Sequence, residues 1–480
     1  MGEPRSRNKI MLFPTLTFGV FFLITFAVVW SAPSNEWRKI LLLVASWIFY
    51  GAWDWRFVPL LILSALMNWA VAQGLARERL VDRRKLLLLT GVAINLVILG
   101  FFKYFDFFTE QVGATLAAIG FERDLPVLRV ILPIGISFFT FQGISYVVDV
   151  YRGRVAPARL LDILLLMSFF PHLVAGPIVR AADLVPQFQS RPKLDRSMVS
   201  MALLLIVWGL FKKTVIASEL AVNFVDPVFA DPASHSALDL VFAAYGYAVQ
   251  IYCDFSAYTD MAIGLAALLG YRFPRNFDQP YRAQSLQEFW RRWHITLSQW
   301  LRDYLYIEAL GGSRGGKLAT YRNLMLTMLL GGLWHGANWT FVIWGGLHGG
   351  ALAVERFWAD VAPKRWPPLP GWVKLLLTFH VVVLGWIFFR APSFADAMTY
   401  LGGILSPSSS PSGFTASPLI VLLVALGLAI HAAPHRWMTN AAIRVRDLPA
   451  PLVGIGLAAT ILLVDAMRFE GIAPFIYYRF

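Results

Sequence analysis

Apolar stretches of about 20 residues, the length a helix needs to cross the hydrocarbon core of a bilayer, recur along the whole chain. They lie near 12–32, 39–53, 57–76, 86–102, 127–150, 160–180, 198–218, 238–270, 321–337, 339–357, 372–390, 417–433 and 451–467. Several are short or interrupted by Pro and Gly, so the pattern predicts an all-α, polytopic membrane bundle with roughly 11–13 crossings and some re-entrant pieces. The polar segments between them are mostly basic. RERLVDRRK at 77–85 and the segments 152–159, 191–196 and 434–446 read as cytoplasmic loops. Arg5, Arg7 and Lys9 point to the same side, yet three spans before residue 77 would place them opposite, so one early segment does not cross or one charge signal misleads. The apolar run that follows them is too long for a cleaved leader and is read as a retained span. PKRWPPLPG at 363–371 and SPSSSPSGFTASP at 406–418 read as surface connections. No repeat of fixed period is visible, which counts against the inverted repeats common in transporters.

One segment breaks the pattern. In SLQEFWRRWHITLSQWLRDYLYIEA, 285–309, Trp290, Trp293, Leu297, Trp300, Leu301 and Tyr304 recur at helical spacing, with Glu288, Arg291, Arg292, Gln299, Arg302 and Asp303 on the other side. That is an amphipathic helix suited to an interface or a re-entrant cavity. A turn, LGGSRGGK at 310–317, joins it to 321–337. If the two helices form a hairpin, His294 and His335 both lie about 22 Å from the turn at 1.5 Å per residue, and so at one depth. His348 is about 20 Å beyond His335 on a continuous helix and shares that depth only if the chain breaks near Asn338; both are expected to support the site from behind.

Composition narrows the chemistry. The chain has 480 residues, is 58% hydrophobic and 15% charged, and carries a formal charge of +13. In a membrane protein that excess reflects the positive-inside bias and attraction to anionic lipid, and no nucleic-acid partner is expected. The single cysteine, Cys253, excludes an intramolecular disulfide and reads as a packed small residue. No metal-ligand spacing, nucleophile elbow, P-loop or dinucleotide fingerprint occurs. What stands out is GGLWHGANWTFVIWGGLHGG, 331–350, where His335 and His348 lie in a glycine-rich apolar run. An ionisable residue at membrane depth usually faces a protein interior or a wet cavity. Histidine can stay neutral there, and it is the side chain best suited to take and return a proton near neutrality. Gly331, Gly332 and Gly336 would let another backbone or a ligand approach closely.

YCDFSAYTDMAIGLAALLGYRFPRNFDQPYRA (252–283), EFWRRWHITLSQWLRDYLYI (288–307) and NLMLTMLLGGLWHGANWTFVIWGGLHG (323–349) closely resemble the membrane-bound O-acyltransferase family, in the bacterial branch that serves alginate O-acetylation. MLFPTLTFGVFF (11–22), FQGISYVVDVYRG (141–153) and FIYYRF (475–480) also look like that branch. The resemblance implies a single domain over 1–480, a many-helix bundle around a funnel or tunnel, with a catalytic core at about 240–350 and an aromatic tail at 468–480. It implies His335 as the essential histidine and His294 as its companion. The expected donor is acetyl-CoA, with no further cofactor and no metal. The expected location is the bacterial inner membrane, beside a polysaccharide synthesis and export complex and a periplasmic SGNH-hydrolase-like acetyltransferase.

By the chemistry of thioesters, His335 is the expected general base and His294 orients its ring or polarises the thioester oxygen. Arg291, Arg292 and Arg302 suit a phosphate-rich donor by charge. Asp254 and Asp260 read as structural groups bonded within the bundle. Tyr477 is a candidate acyl relay, because a phenol loses its proton more readily than an alkyl alcohol and its ester stays activated. An aromatic belt at the interface explains the tail equally well. The alternatives are an acyltransferase for cellulose, peptidoglycan or lipid, a polysaccharide or lipid transporter, and a non-enzymatic anchor for a periplasmic complex.

Overall fold

Helices account for nearly all the secondary structure, and no strand occurs among the described residues. The structure is a computed structural model; it describes residues 11–121, 127–361, 369–405, 413–467 and 474–476. Arg5, Arg7, Lys9 and Tyr477, together with parts of the two expected surface connections, lie outside the described residues.

The helices obey the logic of a chain solvated by lipid. The helical runs Asn35–Arg77, Val81–Ala118 and Arg196–Ala230, and the helices Gly371–Arg390 and Ala450–Met467, are each long and apolar enough to cross a membrane. The helix Pro418–Ala429 is followed, after a bend of 87°, by Arg436–Asp447. Leu23, Leu89, Val97, Ile455 and Leu462 are among many large apolar side chains facing outward. In water such a surface would aggregate; in lipid it is the solvated face. This is a multi-pass membrane protein. The segment 434–446, expected as a loop, is largely the helix Arg436–Asp447, whose last turn carries Arg444 and Arg446. Cationic side chains at a helix C-terminus offset the exposed carbonyl ends, and that holds a basic segment helical.

The chain forms two units. The first comprises residues up to 202 with 261–274, and the second comprises 203–260 with 275–480. In the first, Asn68 and Asn95 exchange reciprocal amide hydrogen bonds of 3.2 and 2.9 Å between the helices Val58–Arg77 and Val81–Leu99. A Cβ at Gly143, on the helix Ile136–Tyr151, would collide with the Asn68 amide, so that helix packs directly against the pair. Lys39 is buried and paired at 2.8 Å with the buried Asp162. The second unit holds every described site residue proposed from the sequence: His294, His335, His348, Asn338, Arg291, Arg292 and Arg302.

Two helices of that second unit, Gly316–His335 and Trp339–Val361, form a tightly apposed hairpin. A Cβ at Gly332 would run into the Phe341 carbonyl, and one at Gly345 into the Met328 carbonyl. These glycines therefore admit a neighbouring backbone rather than a ligand. The chain does break where the sequence allowed, with Gly336, Ala337 and Asn338 between the two helices. The Asn338 Oδ1 accepts from the Thr340 amide at 3.0 Å, capping the second helix, and its amide donates to the Pro392 carbonyl at 2.8 Å.

Candidate active site

The segment 285–309 is not one helix. It runs as Leu286–Arg292, then Ile295–Trp300, then a wider π-helical stretch Leu301–Ala309. His294 stands at the first break with φ +41°, a left-handed conformation costly for a residue with a Cβ. Asn276 holds it there. The Asn276 carbonyl accepts from the Ile295 amide at 2.9 Å. Its side-chain Oδ1 accepts from the Thr296 amide at 3.1 Å and the Thr296 hydroxyl at 2.8 Å, and it lies 3.1 Å from His294 Nδ1. Because the Thr296 amide can only donate, the atom facing it is the Asn276 oxygen, and His294 Nδ1 must therefore donate to that oxygen. In the neutral ring the opposite nitrogen, Nε2, is then a bare acceptor, and it has no hydrogen-bond partner among the described residues. A ring so arranged takes a proton; polarising a thioester oxygen would require an N–H at Nε2. In that tautomer His294 has no N–H at Nε2 to offer an oxygen, and the residue that holds it, Asn276, is one that no sequence pattern singled out.

His335 is the last residue of its helix and only 4% exposed. Its ring lies 5.0 Å from Trp334, 5.0 Å from Trp344 and 5.3 Å from Phe389. His294 lies 6.3 Å from the same Trp334 indole and edge-on to Phe255 at 4.7 Å. The break at Asn338 also brings in His348, which packs on Trp344 at 4.8 Å and Trp290 at 5.3 Å. One aromatic cluster thus gathers all three histidines.

Two cavities are lined in part by the residues that follow the two histidines in sequence, Ile295 and Gly336. The larger, about 630 Å³, is lined by Ile295, Trp290, Met328, Arg291, Arg302 and Arg356, among others. The smaller, about 420 Å³, is lined by Gly336, Asn338, Gln250, Phe389, Arg390 and Ile476, among others. Of the three arginines expected to hold a donor, Arg291 and Arg302 face the larger cavity, and Arg356 joins them. Arg302 also pairs with Asp303 at 2.7 Å. Arg292 is committed elsewhere, to Glu288 at 2.8 Å and to Asp278 at 3.8 Å.

Residues 144–394 match the model of the membrane-bound O-acyltransferase family. The chain is 45% identical over 403 residues to a probable alginate O-acetylase of Pseudomonas putida, covering 82% of this chain and 80% of that one. It is 39% identical over 431 residues to a peptidoglycan O-acetyltransferase of Helicobacter pylori, covering 83% and 80%. A teichoic acid D-alanyltransferase of Streptococcus thermophilus is 29% identical over 280 residues, covering 53% and 68%.

The chain belongs to the membrane-bound O-acyltransferase family.

It is therefore an O-acyltransferase, and the transporter and anchor alternatives fall away. The matched segment of this family member contains His294, His335, His348, Asn276 and the arginines of the larger cavity. It ends before residues 474–476, which the structure places in the second unit all the same. Phe475 is fully buried against Tyr258 at 4.2 Å and Phe255 at 5.9 Å, the same Phe255 that meets His294. Asp254 and Asp260 are bonded within the unit, to Lys213 at 2.8 Å and Lys212 at 2.7 Å, and Cys253 is a buried residue of the same helix. Asp254 also contacts residues 474–476 through the Ile476 amide at 2.9 Å. Residues 474–476 are held within the unit, while 468–473 and 477–480 of the expected aromatic tail lie outside the described residues.

Proposed function

We propose that this enzyme takes an acetyl group from cytoplasmic acetyl-CoA and passes it across the bacterial inner membrane for O-acetylation of an exopolysaccharide, alginate first among them. The observation that carries the reading is the pair of histidines on one indole, each followed in sequence by a residue that lines a separate cavity. An arginine-lined cavity suits a phosphate-bearing donor. Similarity to an alginate O-acetylase over most of both chains supports the acetyl group and the polymer. The peptidoglycan O-acetyltransferase of comparable coverage favours a second reading in which peptidoglycan is the acceptor.

In the proposed mechanism His335 removes the proton of the acceptor hydroxyl as its oxygen attacks the thioester carbon. The carbon–sulfur bond then breaks, and the protonated imidazole returns its proton to the departing thiolate. His294, with Nε2 free to accept, is a second proton acceptor in the same cluster. Tyr477, one residue beyond the Ile476 that lines the smaller cavity, is proposed as the first acceptor hydroxyl. The acetyl phenyl ester it forms remains reactive enough to be handed to a periplasmic SGNH-hydrolase-like partner, which acetylates the polymer.

The test uses detergent-purified enzyme and acetyl-labelled acetyl-CoA. CoA release should depend on His335, and an acetylated peptide spanning residue 477 should appear by mass spectrometry and vanish in Tyr477→Phe. Turnover of a His335→Ala enzyme at the wild-type rate overturns the base assignment. Normal polymer acetylation by Tyr477→Phe overturns the relay. Acetylation of peptidoglycan but not alginate in the complete system selects the second acceptor.

A further inference from the structure

Two consecutive lysines, Lys212 and Lys213, are each 1% exposed, an expensive placement for ammonium groups unless each is fully paired. They open a π-helical stretch, Lys212–Ala217, whose wider turn departs from the regular 100° stagger of an α-helix. Both reach one helix, Ala237–Leu268, but at different levels. Lys212 Nζ donates to Asp260 at 2.7 Å and Ser256 at 2.6 Å. Lys213 Nζ pairs with Asp254 at 2.8 Å. Of the two, the second pair also hydrogen-bonds to main chain outside these helices. Asp254 Oδ2 accepts from the Ile476 amide at 2.9 Å, and Lys213 Nζ lies 3.4 Å from the Pro474 carbonyl. The ion pair thus presents one donor and one acceptor to a three-residue stretch of main chain, with opposite polarity at each end.

We infer that the Lys213–Asp254 pair is a positioning device for the reaction: a main-chain latch that seats residues 474–476 at the wall of the smaller cavity. The inference rests on the proposed use of that cavity by the acceptor. Main-chain recognition suits this task. It fixes the segment's register whatever side chains follow, while Phe475 fills the apolar pocket between Tyr258 and Phe255. Lys212–Asp260, one residue away and of similar chemistry, bonds to the neighbouring helix instead of residues 474–476 and is the internal control.

The test uses full-length enzyme in detergent. Lys213→Met with Asp254→Leu removes both charges at once and so leaves no ion stranded in the core. Ile476→Pro deletes the amide that Asp254 accepts and leaves the ion pair intact; Ile476→Val keeps that amide. The double variant should speed hydrogen exchange of the Phe475 and Ile476 amides by about tenfold or more. Both the double variant and Ile476→Pro should lower acetyl transfer to the acceptor by about a hundredfold, as expected for a misplaced reactant. The KM for acetyl-CoA should be unchanged in each, and Ile476→Val should behave as wild type. Unchanged exchange in the double variant, or normal transfer in both latch variants, overturns the inference. A His335→Ala enzyme that keeps its turnover would instead overturn the proposed base, and the exchange measurement would still report on the latch.

Discussion

His335 closes an unbroken helix of 20 residues, whereas His294 sits between helices of seven and six residues, at a backbone angle that favours glycine. The first histidine is placed by a whole helix packed on its neighbour through Gly332 and Gly345, and its ring is surrounded by aromatic faces. The second is placed by one asparagine, whose two oxygens hold residues 294, 295 and 296. A helix end locates a side chain through many weak contacts, so loss of any one is absorbed. A polar clamp locates it through few strong ones, and removing the clamp releases both the ring and the strained backbone. The two histidines should therefore respond differently to changes around them, even where both contribute to the same step.

The largest expected effect comes from the ring at the helix end. His335→Ala should lower turnover by about 10²–10⁴, the usual contribution of a positioned general base. Expression and folding should stay near wild type, because the neighbouring aromatic faces remain packed; radiometric CoA-release assays with size-exclusion profiles check both. Next comes the clamp. Asn276→Leu strands the His294 Nδ1 hydrogen and the Thr296 amide, each at a cost of about 1–3 kcal/mol. Melting temperature and turnover should fall together, the rate by about tenfold to a hundredfold. Equal stability with full activity would show that His294 needs no holder. The third prediction moves from the rings to the donor cavity. Arg291→Ala with Arg302→Ala should raise the KM for acetyl-CoA several-fold while leaving kcat nearly unchanged, as loss of uniform binding does, and Arg292→Ala should not. The smallest effect is expected at His348. His348→Phe keeps a flat ring against Trp344 and Trp290, so turnover should stay within about threefold of wild type.

Much of this contrast was accessible before any coordinates. The two histidines were singled out as sharing one depth, and both rings meet Trp334, but the continuous helix over 285–309 on which that spacing argument stood is three shorter pieces. The break near Asn338, on which a place for His348 had been made conditional, is present, and it lets His348 join the cluster. Arg292, expected among the donor ligands, is instead paired with Glu288 four positions earlier on the same helix. The kink at His294 was not legible in the sequence. A left-handed residue other than glycine has no periodicity signature, and its holder, Asn276, is 18 positions away in an irregular stretch. The two lysines are ordinary in sequence; only the π-helical turn and the folded position of Asp254 give Lys213 a different partner from Lys212. The glycines around His335 illustrate a true ambiguity of residue type. Lack of a side chain permits close approach, but whether backbone or ligand arrives is decided by the partner helix.

The rings of Trp290, Trp334, Trp344 and Phe389 have a consequence for economy as well as for geometry. On the proposed mechanism a thioester beside a base is as open to water as to an alcohol, and each acetyl group lost to water is a donor consumed for nothing. These aromatic rings stand 4.8–6.3 Å from the three histidines, centre to centre, and wall them with largely apolar surface. The ratio of idle hydrolysis to productive transfer is thus set by how completely these rings shut out solvent. Trp344→Ala would open a hole next to His335 and raise that leak even if the rate of productive transfer survived.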